Sequence, residues 1–221
     1  MTTGPSPPGP ASRLPSGRHG LTREAVVASQ RGRLIDAMAH AVAEKGYAAT
    51  TVADVVERAG VSRRTFYEQF ADKEACFLAA YDTALAVVLA RIGEAVESQP
   101  GAGWRERARS GLEAFLALLA TEDAFARALQ VEILTAAPAA LDRRAGMLVM
   151  FAGVWRNVHE RARAEEPALL ELPDEVFTIL TAGLEELIRD CIRTRGTTAL
   201  PELTEPILRT VFAVFGARPR P

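Results

Sequence analysis

The chain has 221 residues, 48% of them hydrophobic and 24% charged, with a net charge of -2. That length and composition allow a full buried core and exclude a disordered chain, a fibrous repeat or a strongly basic polyanion coat. No apolar run of about 18 residues stands out, so no membrane span or membrane partner is expected. The first residues lack the charged-then-apolar layout of a signal peptide, which places the protein in the cytoplasm.

Cys76 and Cys191 each sit among apolar residues of predicted helices and read as small buried hydrophobes. His19, His40 and His159 are scattered and lack metal-ligand spacing, so no metal or cofactor is implied. The charge is uneven. Residues 1–75 hold ten Lys/Arg against eight Asp/Glu, and the first 35 carry Arg13, Arg18, Arg23, Arg31 and Arg33 against Glu24 alone. A mildly basic leading end on an acidic body fits a local contact with a polyanion.

In chain order, a disordered, basic and Pro-rich arm covers residues 1–20. Helical periodicity begins near Thr22, with Ile35, Met38 and Val42 on one stripe, and Gly46 ends that helix. Tyr47 is expected to dock on the core. Thr50 or Thr51 opens a second helix; Thr51 and Asp54 have capping-box spacing, and Val52, Val55, Val56 and Ala59 form the buried stripe. Gly60 supplies the positive φ of a sharp turn, and Ser62 is a good N-cap for the next helix.

That third helix runs from Arg63 to about Gln69. At about 100° per residue, Phe66 and Phe70 share one face and become its anchors. Arg64, Thr65 and Glu68 point away, with Arg63 and Tyr67 on one flank and Gln69 on the other. So short a helix needs those anchors to persist. Further helices are predicted over about Lys73–Ser98, Trp104–Thr121, Asp123–Ala136, Pro138–Ala164, Pro173–Arg195 and Pro201–Phe215. No strand pattern or internal repeat is found, so the fold class is all-α.

Two helices joined by a glycine turn, the second bearing outward polar residues, form a helix-turn-helix. An α-helix fits the major groove of B-DNA, where residues near its N-terminus reach base edges. Arg63 and Arg64 can donate to guanine or phosphate, and Thr65 can touch a base edge or a thymine methyl. Tyr67, Thr51 and Lys73 are placed to donate to phosphates. Glu68 would be repelled by phosphate but can accept from a cytosine amine.

The run Gly46-Tyr47-Ala48-Ala49-Thr50-Thr51-Val52-Ala53-Asp54-Val55-Val56, then Ala59-Gly60-Val61-Ser62, Thr65-Phe66-Tyr67, and Phe70 followed by Lys73-Glu74, resembles the DNA-binding domain of TetR/AcrR-family regulators. The resemblance covers roughly residues 30–82. It implies a three-helix DNA-binding domain at residues 21–75 and a larger helical ligand-binding and dimerisation domain at 76–221. By position it places DNA contacts on Thr51, Arg63, Arg64, Thr65, Tyr67 and Lys73. Ser62 joins them as the cap. Gln69 stands where the family often has histidine, and glutamine can still bond phosphate. The arm at Arg18 can enter the minor groove or touch phosphates without specificity.

In the second domain, Val176, Leu180, Leu184, Leu187, Ile188 and Cys191 make one apolar seam, and Leu208, Val211, Phe212 and Phe215 another. These two helices are expected to form a four-helix bundle with a second copy, making a homodimer. Phe115, Leu119, Phe125, Leu129, Met147, Met150, Phe151, Trp155, His159 and Phe177 are candidates to line an effector cavity for a small hydrophobic or amphipathic molecule.

The resulting expectation is a non-enzymatic, ligand-responsive regulator, in the family's usual sense a repressor, on a palindromic double-stranded operator. The sequence carries no GxSxG, P-loop, GxGxxG or HExxH signature of an enzyme. A helical protein-binding adaptor without DNA affinity is the rival reading.

Overall fold

A computed structural model describes residues 23–136 and 138–217, and all the regular structure among them is helical. The helices are α1 (Arg23–Lys45), α2 (Val52–Ala59), α3 (Arg63–Gln69), α4 (Lys73–Glu97), α5 (Trp104–Thr121), α6 (Asp123–Gln130), α7 (Pro138–Glu165), α8 (Asp174–Arg195) and α9 (Thr204–Val214). Two 3-10 segments, Glu132–Leu134 and Thr197–Leu203, precede α7 and α9. The leading arm and Arg18 lie outside the described residues.

The first three helices form as the sequence predicts. Leu34, Met38 and Val42 of α1 are fully buried, and Gly46 ends the helix at φ 79°. Of the two threonines, Thr51 is the N-cap. Its hydroxyl accepts from the Asp54 N–H at 3.2 Å, while the Asp54 carboxylate accepts from the Thr51 N–H at 2.8 Å. Thr50 is buried instead, and its hydroxyl donates toward the carbonyls of Ala41 and Gly46. Gly60 adopts φ 62° and ψ 40°, the left-handed conformation that turns α2 into α3.

Two predicted boundaries move. The helix expected over Asp123–Ala136 ends at Gln130, and the chain tightens so that Ile133 is fully buried and Glu132 turns toward the first three helices. The last helix starts at Thr204 rather than Pro201. Pro201 lies in the 3-10 segment, which buries Leu200 and Leu203 beside α5 and α8.

One hydrophobic core runs through the molecule from α1 to α9. The boundary drawn after residue 75 falls in the first turn of α4, a helix that packs on both α1 and α5. By length and hydropathy α4 is long and apolar enough to cross a membrane, contrary to the reading that no such stretch exists. Its Phe77, Ala80, Tyr81, Ala84 and Val88 instead belong to the protein core. Both cysteines are free and buried, and burial pushes the Cys76 thiol up to about 12, so it stays protonated.

Candidate functional site

The candidate surface is built by α3. Phe66 is fully buried and Phe70 nearly so, with ring centroids 5.8 Å apart, and together they fix the short helix on α1 and α2. Phe70 itself lies just past the helix in an extended conformation, where the Arg31 guanidinium covers its ring at 4.3 Å. Arg31 also donates to the Gln69 carbonyl at 3.1 Å, tying off the end of α3. The opposite face is left to solvent.

On that face Ser62, Arg63, Arg64 and Tyr67 are exposed, and Thr65 and Gln69 are half-buried. Tyr67 is 56% exposed, unusual for an aromatic, and its ring meets Phe66 edge-on. Among the described residues Arg63 makes no ion pair. Arg64 reaches Glu68 one turn on, at 2.9 Å, and that contact raises the pKa of a guanidinium already charged. Its side chain is 88% exposed, so the contact steers the guanidinium and barely stabilises the fold. Ser62 accepts from the Thr65 N–H at 3.0 Å and lies 3.0 Å from the Thr65 hydroxyl, which orients both side chains at the start of α3.

Two residues expected to touch phosphate are partly engaged within the chain. The Lys73 ammonium donates to the carbonyls of Tyr47 and Thr50, each at 2.9 Å, and stacks 4.3 Å from the Tyr47 ring centre. Only one of its three N–H bonds is left for another partner. The Thr51 hydroxyl is exposed but belongs to the capping box. Asp54 in that box has a pKa lowered to about 2, first by its bond from Lys45 and then by its bonds from Thr51.

A cavity lies in the body between α4, α5, α7 and α8, with an empty volume of about 780 Å³ counting its mouth. Four of the ten sequence candidates line it: Phe115, Met147, Phe151 and Trp155. Leu119, Phe125 and Leu129 line a separate groove against α4. Met150, His159 and Phe177 line neither. His159 packs between Phe177 and Phe215, with ring centroids 5.5 Å and 4.7 Å away. Burial, then the nearby Arg163, lowers its pKa and favours a neutral ring.

Sequence periodicity missed the cavity's polar residues, Gln130, Thr181 and Glu185, because a buried polar side chain on an apolar face has no periodic signal. Glu185 receives the Arg144 guanidinium at 2.6 Å, with Arg189 at 3.1 Å. Burial still pushes its carboxyl up against the pull of both arginines.

Also missed was Glu132. Its carboxylate accepts from the Tyr47 N–H at 2.9 Å, across 85 positions of sequence. The Tyr47 carbonyl is held by Lys73. The turn between α1 and α2 is therefore clamped from one side by the segment after α6 and from the other by the start of α4.

Most of the predicted dimer seam serves this chain's own core. Leu180, Leu184, Ile188, Cys191, Leu208, Val211 and Phe215 are buried within it. Trp104 fixes α9 by stacking on Phe212 and Phe215 at 5.0 and 6.1 Å, and Phe212 is half-buried. Val176 is also half-buried and Leu187 exposed. The apolar residue that α8 leaves most open is Ile179, 71% exposed, with Ala182 and Gly183 exposed close by.

The described residues thus form a helix-turn-helix held by aromatic anchors, joined through α4 to an all-helical body with an internal cavity. Residues 34–80 match the family model for bacterial regulatory proteins of the tetR family. A curated relative, the HTH-type transcriptional regulator EthR of Mycolicibacterium smegmatis, is 33% identical over 128 residues, 58% of this chain. The match spans about half of that relative, 55% of its length. Residues 34–80 are thus similar to the tetR-family DNA-binding region, and the remainder of the chain shares the fold of such regulators.

Solved structures agree on the fold. The fatty acid degradation regulator FadR of Bacillus halodurans superposes with a TM-score of 0.75 at 18% identity, over 86% of this chain and 97% of that one. FadR of Bacillus subtilis, solved with stearoyl-CoA, gives 0.72 at 18% identity, over 81% and 96%.

Proposed function

We propose that the protein is a cytoplasmic, ligand-responsive transcriptional repressor that binds a palindromic operator as a homodimer and performs no catalysis. The observation that carries the reading is the outward face of α3, where Arg63, Arg64, Thr65 and Tyr67 converge on a helix too short to exist except as a presented surface. Two copies of that helix reach successive major grooves when they lie about 34–36 Å apart.

The cavity supports the second half of the reading. Its walls are mostly apolar, which suits a hydrophobic or amphipathic effector. The stearoyl-CoA bound by the Bacillus subtilis protein is a molecule of that kind. Effector binding changes operator affinity only as far as it favours one conformation over the other. Two routes lead from the cavity to the first three helices. One is α4, which lines the cavity with Ile92 and Val96 and begins at Lys73. The other is short: Gln130 lines the cavity, and two residues on, Glu132 holds the Tyr47 N–H.

Selection of bound sequences from random duplex DNA, followed by a shift assay over a salt series, tests the proposal. A palindromic consensus is expected, with affinity falling steeply as salt rises. Arg63→Ala and Arg64→Ala are each expected to do one of two things. Where the arginine binds phosphate, its removal lowers the salt slope by about 1; where it binds a base, its removal relaxes one consensus position. An unselected pool with no salt-dependent binding would leave the adaptor reading in its place.

A further inference from the structure

Some buried polar side chains in this protein are hydrogen-bonded within the chain. The Thr50 hydroxyl donates to two carbonyls, and the Thr197 hydroxyl donates to Asp123 at 2.9 Å. Exposed helical threonines such as Thr83 and Thr194 donate one turn back, to the carbonyls of Ala79 and Asp190. Single buried atoms without a partner occur at Tyr81, Arg156 and His159, but they gather at the α6–α8 side of the cavity.

Gln130, Thr181 and Glu185 are each only 5% exposed, and all three line the cavity. The Gln130 Oε1 and Thr181 Oγ1 atoms are buried with no hydrogen-bond partner among the described residues. Glu185 Oε2 accepts from Arg144, but its Oε1 lies 3.1 Å from Arg189 Nη2 off the bonding direction, leaving both atoms without a hydrogen bond. Arg189 is itself held by the Gln130 carbonyl at 2.7 Å, so the group is fixed in place. The other charged lining residue, Arg107, donates to the Ala102 carbonyl. Native structures leave very few buried polar atoms unpaired, and a cluster of them facing one cavity points to a partner from outside.

We propose that these three residues form a hydrogen-bonding pole, and that the effector is a largely apolar, uncharged molecule carrying a hydroxyl at one end. This rests on the reading of the cavity as the effector site. Charge decides the class of head group. An anion would meet the Glu185 carboxylate, and a cation would meet the guanidiniums of Arg144 and Arg189. A hydroxyl both donates and accepts, so it satisfies Thr181 and Gln130 whichever end of the glutamine amide faces inward. A plain hydrocarbon end seated there would bury the polar atoms against methylene groups.

The test uses the full chain and a nearly isosteric probe pair, 4-phenylphenol and 4-fluorobiphenyl, with affinities measured by calorimetry. The phenol is expected to bind about tenfold tighter or more. Thr181→Val and Gln130→Leu are each expected to cut that preference several-fold while leaving 4-fluorobiphenyl affinity within about twofold, and the double variant to erase it. Because Thr181→Val removes an unpaired buried hydroxyl, the ligand-free variant is expected to melt about 2–4 °C higher. Equal binding of the two probes to the wild-type protein, or a preference that survives the double variant, overturns the pole while sparing the cavity. If neither probe binds, the reading of the cavity falls and the pole falls with it.

Discussion

Single residues in this chain are set by what surrounds them more than by their type. His159 shows it. Its position four residues after Trp155 makes it look like a cavity ligand, yet one turn further along α7 it is buried between two phenylalanines. Burial and Arg163 lower its pKa; Glu160, Glu171 and a hydrogen bond to the Leu170 backbone act the other way and lose. A histidine with a lowered folded pKa binds fewer protons folded than unfolded just below its ordinary value of about 6.5. Its stabilising effect is therefore complete above that pH and is lost as pH falls toward the folded value. Melting temperature is expected to decline with acid over this window, and His159→Phe, which keeps the aromatic packing, is expected to flatten the decline. An unchanged pH slope in the variant would show that other groups set it. The same lesson applies to Lys73, whose charge is directed at two carbonyls and a ring.

Among elements, the first three helices were legible in detail because each boundary has a local chemical signal. Gly46, the Thr51–Asp54 box, Gly60 and Ser62 all act over fewer than five residues, and the structure uses each as read. The end of α6 was not legible. Gln130, Val131 and Glu132 carry no stop signal, and where the helix ends Glu132 accepts from a backbone N–H on a distant turn. That contact gives the element a role. Glu132→Ala is expected to leave probe binding at the cavity unchanged while shrinking the effector's influence on operator affinity several-fold, within the usual 5–150-fold range of such coupling. Comparing operator affinity with and without 4-phenylphenol in both proteins checks it. Equal responses would assign the coupling to α4 alone.

At the scale of the whole molecule, α8 presents an exposed apolar strip. Its exposed apolar residues, Ile179 and Leu187, stand beside Ala182 and Gly183, small residues that let a second helix approach closely. We propose this face as the interface of the homodimer, one step round the helix from the seam expected from sequence. Ile179→Arg is expected to yield a folded monomer by sedimentation and to weaken operator binding about a hundredfold or more, since each half then binds alone. Leu180→Arg at the neighbouring, 6% exposed position is expected to unfold the protein by burying an unpaired charge. A dimer that persists in Ile179→Arg moves the interface elsewhere.

By itself the sequence determined the first three helices, their caps and the two phenylalanines that turn Arg63 and Arg64 outward, because those depend on residues within one or two turns of each other. Tertiary structure alone decided which apolar stripe faces inward, which candidates reach the cavity and where its polar end lies. Such choices depend on contacts such as Tyr47 with Glu132 or Arg144 with Glu185, between residues far apart in the chain. A helix with apolar residues on more than one side records that it is covered, but not by what.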